Sequence, residues 1–237
     1  MNLSQIEYWF APFMSVLERE TQFRNIQLYS KEMNIENSDM YPPTINIGDN
    51  VIFIGTINMD ETTKDISDRL LDRALVINLH KKTFKDYLAE ENEAEELTDT
   101  NYKVPSSLFA TFKKNTPNYI KVFTDREIEF LDALHDLIAG YLPQKGVSYR
   151  NVKMIGNYIA NSENIFDRDI AFDLAIKQTV IRKINGNENE IGKLIYQDSE
   201  NNIQHLLEQY CDISEFKETL LEIKQKAQEL DTYGFTR

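Results

Sequence analysis

The chain is poor in cysteine, glycine, proline and positive charge. A single cysteine, Cys211, among 237 residues has no internal disulfide to make, so nothing points to an oxidising compartment. Eight glycines and six prolines exclude a collagen-like or loop-dominated chain. Lys and Arg total 26 against 39 Asp and Glu, a net charge of −13. Such a surface repels phosphate backbones, so direct DNA or RNA binding would need a local basic patch. No apolar run approaches the ~20 residues of a membrane span, and the start lacks a charged segment followed by an apolar one. No membrane partner is expected, and the expected address is cytoplasmic. His80, His135 and His205 lie far apart, without CxxC or HExxH, so no zinc site is expected. GxSxG, GxxxxGK[ST] and GxGxxG are missing too, which leaves the sequence without a phosphate cradle of its own.

What is present suffices for a core: 41% of residues are apolar and 11% aromatic. Residues 5–18 read as a helix, with Ile6, Trp9, Phe10, Phe13, Met14 and Leu17 on one face and Ser4 and Glu7 as a capping box. Two short extended pieces, 26–29 and 44–47, flank a polar loop and fit a hairpin. The runs 51–55 and 75–79 are continuous and β-rich, as in strands buried on both faces of a parallel sheet. A helix over 66–73 between them implies a right-handed crossover. Two core strands are few for a sheet, which usually has ~4–6.

Residues 84–100 are strongly acidic and read as a solvated linker or surface helix. Beyond them the pattern turns helical. Thr124 and Glu127 form a capping box ahead of Ile128, Leu131, Leu134, Leu137 and Ile138. Further helices are predicted over 150–161, 169–185, 203–210 and 212–231, with Gly186 stopping the second of these and Phe216, Leu220, Leu221, Ile223, Ala227 and Leu230 facing inward on the last. The expected class is α/β followed by all-α. The blocks are 1–83, an acidic linker over 84–122, and a helical domain over 123–237.

Three residues stand where chemistry would sit. Asn58 follows the first apolar strand at its carboxyl end, where open sheets bind ligands. Its amide would orient a water or phosphate oxygen, or bond its own backbone in a turn. Arg73 precedes the second strand, either paired locally with a carboxylate such as Asp72 or exposed to an anion. Arg150, in Ser148-Tyr149-Arg150, opens a helix, where the dipole favours anions; it is either solvated or matched by a phosphate.

The stretch from Asn50 to Ala74, NVIFIGTINMDETTKDISDRLLDRA, resembles the segment from sensor 1 to the arginine finger of McrB-like AAA+ NTPases, the motors of modification-dependent restriction systems. The opening MNLSQIEYWF resembles the stretch just after the Walker B Asp-Glu of that family. Ser148-Tyr149-Arg150, Phe172-Asp173-Leu174-Ala175-Ile176-Lys177-Gln178, Lys183-Ile184-Asn185-Gly186 and Tyr233-Gly234-Phe235-Thr236 resemble the lid. The resemblance implies a partial AAA+ core (presensor hairpin, sensor-1 strand, last core strand) plus a helical lid. It makes Asn58 sensor 1, Arg73 the arginine finger of a neighbour's site, Arg150 a lid contact to the chain's own nucleotide, and Arg69 an assistant in trans. Walker A and Walker B match nothing in this sequence, so the chain looks like the C-terminal part of a module. ATP or GTP with Mg²⁺ would be used only by the complete module, and the chain alone is expected to be inactive. Implied partners are neighbouring AAA+ subunits in a ring, often a hexamer, and a nuclease subunit, with DNA engaged indirectly. The alternative is a non-catalytic module that docks on an intact ring.

Overall fold

The computed structural model describes residues 6–57, 66–77, 79, 83–85, 103, 105, 107–108, 119–196 and 201–236. Helix α1 (Ile6–Leu17) forms where the apolar spacing predicts it and buries Ile6, Met14 and Val16. The proposed cap Ser4 lies outside the described residues. Strands β1 (Asn25–Gln27) and β2 (Thr44–Asn46) pair antiparallel, Ile26 opposite Ile45. Backbone bonds from Leu28 to Pro43 O and from Ile47 to Arg24 O, each 2.8 Å, extend the hairpin at both ends.

Among the described residues the two expected parallel strands do not form. Residues 51–57 and 75–77 have no ladder partner, and β1–β2 and β3–β4 are the sheets among the described residues. An apolar run becomes a buried strand only beside other strand edges and under covering helices. Among the described residues no such neighbours stand beside these runs, and Ile54 is 89% and Leu79 92% exposed. Phe53 finds a different partner. It meets Phe10 and Phe13 of α1 at centroid distances of 5.5 and 5.3 Å, while those two rings stack at 5.3 Å. The crossover helix is one turn, α2 (Asp68–Leu71), with no buried residue.

The helical part holds most of the buried apolar residues. Helix α3 (Asp125–Tyr141) starts with the expected capping box: the Glu127 N–H donates to Thr124 Oγ1 at 3.2 Å, and the Thr124 N–H to Glu127 Oε2 at 2.7 Å. Glu127 is buried and also receives Arg168 Nε at 3.0 Å and Nη2 at 2.7 Å, a two-pronged bond that ties α3 to the start of α5 (Arg168–Thr179). Between them runs α4 (Tyr149–Ser162). A Cβ on Gly156 of α4 would sit 2.9 Å from Tyr119 O, so glycine there lets the turn at Tyr119–Val122 pack against the helix.

The helix predicted over 169–185 stops at Thr179 and continues as a 3₁₀ turn, Ile181–Lys183. The β-branched run Thr179-Val180-Ile181 is a poor helix continuation, and the Thr179 hydroxyl bonds back to Ala175 O at 2.6 Å. Helix α6 (Glu188–Ile195) comes next, capped by Asn187 and Glu190, in a stretch where the apolar spacing predicts no helix. Then come α7 (Ile203–Gln209) and α8 (Lys217–Tyr233). The last helix begins five residues later than predicted because Phe216 turns left-handed, φ 48°, to bury its ring. That ring stacks on Phe130 at 5.0 Å, and Phe172 closes the trio. Leu221, predicted to face inward, is exposed. After α8, Gly234 (φ 75°) turns the chain into β4 (Phe235–Thr236), which pairs with β3 (Gly186–Asn187) just before α6. None of the described helices is long and apolar enough to cross a membrane.

Phe216 cannot cap α8, so a carboxylate from another helix does. Buried Asp173 of α5 accepts the backbone N–H groups of Glu218 at 2.8 Å and Thr219 at 2.9 Å. Asp173→Ala is expected to lower unfolding free energy in urea by about 2–3 kcal/mol, with Asp173→Asn losing less because one acceptor stays. The helical bundle should also hold the most slowly exchanging amides, ahead of residues 6–57. Equal protection of the two parts in hydrogen exchange would contradict the uneven core.

Candidate functional site

Four of the chain's cations gather where α2, the residue after α1 and the helical bundle meet. Arg73, one residue past the turn that ends α2, places Nε 2.7 Å from Glu18 Oε1 and donates from Nη1 to Arg69 O at 2.6 Å. Arg150, in the first turn of α4, places Nη2 2.9 Å from the same Glu18 oxygen and Nη1 3.6 Å from Asp72 Oδ2. Lys183, in the 3₁₀ turn, is paired with Asp72 Oδ1 and donates to Asn151 Oδ1 at 3.0 Å. Lys145, in the loop between α3 and α4, lies 3.5 Å from Asp68 Oδ2, donates to Lys183 O at 3.0 Å and bonds the Asn185 side chain. Four cations thus meet three carboxylates, in a chain whose overall charge is −13.

Local sequence chemistry aims these groups. Ser148 caps α4, and Asn151 three residues on closes the box: its Oδ1 accepts the Ser148 N–H at 3.0 Å and the Ser148 hydroxyl at 2.7 Å. Fully buried Asn151 also donates to Thr179 O at 3.3 Å. One amide therefore sets the first turn of α4, holds the end of α5 and receives Lys183. Gly146 takes φ 139° in the loop before it, and a Cβ there would meet His135 Nδ1 at 2.7 Å. Burial pushes the Lys183 ammonium below its ordinary value; Asp72 opposes that, and Arg150 adds to it.

Of the residues singled out in the sequence, Asn58 lies outside the described residues. Arg69 is exposed and contributes its carbonyl to Arg73. Arg73 does not take Asp72 as its partner. Glu18 holds it, from 55 positions back in the chain, and Asp72 turns to Lys183 and Arg150. Nor is Arg150 a solvated end-of-helix arginine. Glu18 and Asp72 both reach it, and they supply the negative charge that the start of a helix favours. Sequence reasoning misses Glu18 and Lys145 altogether, and reaches Asp68 and Lys183 only as parts of matching stretches. No local spacing signals them, because their partners come from other elements.

A second buried charge cluster lies along α8. Lys226 is 1% exposed, with Nζ 3.5 Å from Thr236 Oγ1 of β4. Burial, with Arg182 adding to it, lowers its ammonium to about 8, against the pull of Glu222 and Glu229. Glu222, also buried, accepts Arg182 Nη1 at 2.9 Å. Between pH 8 and the ordinary lysine value of 10.5, the unfolded chain holds a proton that the folded one has released. Stability attributable to this residue therefore rises with pH through that window, and below it the burial penalty is complete. Lys226→Met should stabilise the protein at pH 7 by up to roughly 3 kcal/mol and flatten the pH 8–10.5 slope in urea titrations, since Arg182 and Glu222 keep each other. A loss of stability at pH 7 would show instead that the ammonium's contacts outweigh its desolvation.

A family model described as a domain of unknown function, DUF8727, matches residues 85–235. No curated protein and no solved structure matches the chain. The matched stretch carries Lys145, Arg150, Asn151 and Lys183, while Glu18, Asp68, Asp72 and Arg73 precede it. The helical bundle with Lys145, Arg150 and Lys183 thus lies in the matched part, and by that match over more than half of its length the chain belongs to the DUF8727 family.

Proposed function

We propose that the chain is the C-terminal portion of an McrB-like AAA+ NTPase module, supplying sensor 1, the arginine finger and the lid to a ring that drives DNA defence. What carries the reading is the run 50–74 together with a helical bundle whose Arg150, in the capped first turn of α4, lies beside Arg73 through Glu18. A guanidinium suits the spread charge of a phosphoryl-transfer transition state. Arg73 would act on a neighbour's nucleotide and Arg150 on the chain's own, with Asn58 orienting water and Arg69 assisting Arg73. To do so Arg73 must exchange the Glu18 carboxylate for phosphate oxygens. ATP or GTP is the substrate of the assembled ring. This sequence offers no match to the family's Mg²⁺ carboxylates, so the metal is assigned to none of its residues. A nuclease subunit would couple to the ring, and DNA would be met through other parts of the assembly.

A second reading has its own observation. Val51 to Ile54, with Leu75, Ile77 and Leu79, are exposed, as in a module that completes its sheet on another protein. That reading makes the chain a non-catalytic subunit docking on an intact ring.

Nucleotide titration separates the chain from the ring. The purified chain is expected neither to bind ATP or GTP at micromolar concentration nor to hydrolyse it. In the intact ring, Arg73→Ala should abolish turnover and leave nucleotide binding within a few-fold. Loss of binding together with turnover would remove the finger role. Co-sedimentation with a full-length relative, without any effect of Arg73→Ala on that ring's turnover, would favour the docking module.

A further inference from the structure

We infer that Lys145, Arg150 and Lys183 form a polyphosphate-binding site on the helical bundle, which Asp68, Asp72 and Glu18 fill from within the chain as carboxylate substitutes. The cations stand on separate elements that share one brace. Arg150 is set by the Ser148–Asn151 box, Lys183 donates to Asn151, and Lys145 donates to Lys183 O. The backbone under Arg150 and the side chains of Lys145 and Lys183 are therefore braced within the bundle, while the Arg150 guanidinium meets the carboxylates of Glu18 and Asp72.

The carboxylates trace the ligand they replace. Asp72 offers one oxygen to Lys183 and the other towards Arg150, as two oxygens of a phosphoryl group would. Asp68 stands at Lys145 on one side, and Glu18 at Arg150 on the other. Three anionic groups shared among three cations supply the multiple negative charge of a polyphosphate rather than that of a single phosphate. Bidentate guanidinium and ammonium contacts are the ordinary means of holding such a chain.

The plug is displaceable. Helix α2 is one turn with no buried residue, so the charged contacts of Asp68 and Asp72 figure prominently in its attachment to the bundle. Partly exposed ion pairs of this kind contribute little stability and weaken with salt. Lys183, by contrast, is buried and needs an anion whichever one supplies it. Removing Asp72 and Glu18 should thus open a site with unmet demand for negative charge rather than destroy one. The inference deepens the motor reading by adding Lys145 and Lys183 to Arg150, yet the site would stand for inorganic polyphosphate even if no nucleotide used it.

Calorimetric titration of the full chain tests it, with sodium tripolyphosphate as the probe at low salt. Glu18→Gln/Asp72→Asn should bind at least tenfold more tightly than the unaltered chain, and its melting temperature should rise on addition of the probe. Adding Lys145→Met and Lys183→Met should abolish the gain. Lys145→Met alone should weaken binding several-fold, and Arg126→Met, outside the cluster, should not. Absence of any gain in Glu18→Gln/Asp72→Asn, or a gain that survives Lys145→Met/Lys183→Met, overturns the inference. ATP and GTP form the second arm. Equal or tighter binding of either by Glu18→Gln/Asp72→Asn assigns a nucleotide as the bearer of the chain. Binding of tripolyphosphate without either nucleotide sustains the site and counts against the motor reading at Arg150. Failure of the motor reading is seen separately, in the turnover of the ring with Arg73→Ala.

Discussion

The side-chain amide of Asn151 is the contact on which the candidate site depends. It is buried without access to water, so its oxygen and nitrogen must be bonded within the protein. Its oxygen gathers the cap of α4 and the ammonium of Lys183, and its nitrogen the carbonyl at the end of α5. Helix start, helix end and buried charge are thereby fixed relative to one another. A hydrophobic residue there would leave Lys183 with a carboxylate from a one-turn helix as its main partner.

The same solution recurs through the bundle: buried polar groups are placed at helix ends, where unpaired backbone groups need them. Glu127 caps α3 and receives Arg168, and Asp173 caps α8 from a neighbouring helix. Each joins two elements distant in sequence while satisfying a local backbone demand. Apolar packing around Phe130, Phe172 and Phe216 supplies the bulk of the cohesion, and these polar joints decide which helix meets which. The N-terminal part lacks such an interior. In its Phe10, Phe13 and Phe53 cluster the first two side chains are half-buried and Phe53 is exposed, and among the described residues its two apolar runs remain without ladder partners.

Family membership and electrostatics divide the chain at a similar place. The DUF8727 match takes in the bundle with Lys145, Arg150 and Lys183, while the carboxylates that neutralise these three come from before it. An acidic protein that gathers cations in one place must neutralise them, and here the neutralising groups come from α2 and from just beyond α1. This arrangement makes the junction sensitive to competing anions. The proposed roles of Arg73 and Arg150 both require carboxylates to yield to phosphate oxygens.

Local order was legible in the sequence. The apolar spacing of α1, the Thr124–Glu127 box, the hairpin and the existence of α4, α5, α7 and α8 all arise from interactions between residues within a few positions of one another. Even α6, too short for a clear apolar period, carries a signal in the Asn187–Glu190 box at its start. Tertiary structure decided the rest. Whether 51–55 becomes a strand depends on neighbouring edges, and where α8 begins depends on Phe216 preferring the aromatic core to a helical backbone. Which carboxylate meets Arg73, and that Lys145 and Lys183 join Arg150, depends on elements brought together from opposite ends of the chain. Local sequence sets backbone preferences because its interactions span a few residues, whereas the reach of a charged side chain is defined only once the fold has placed it.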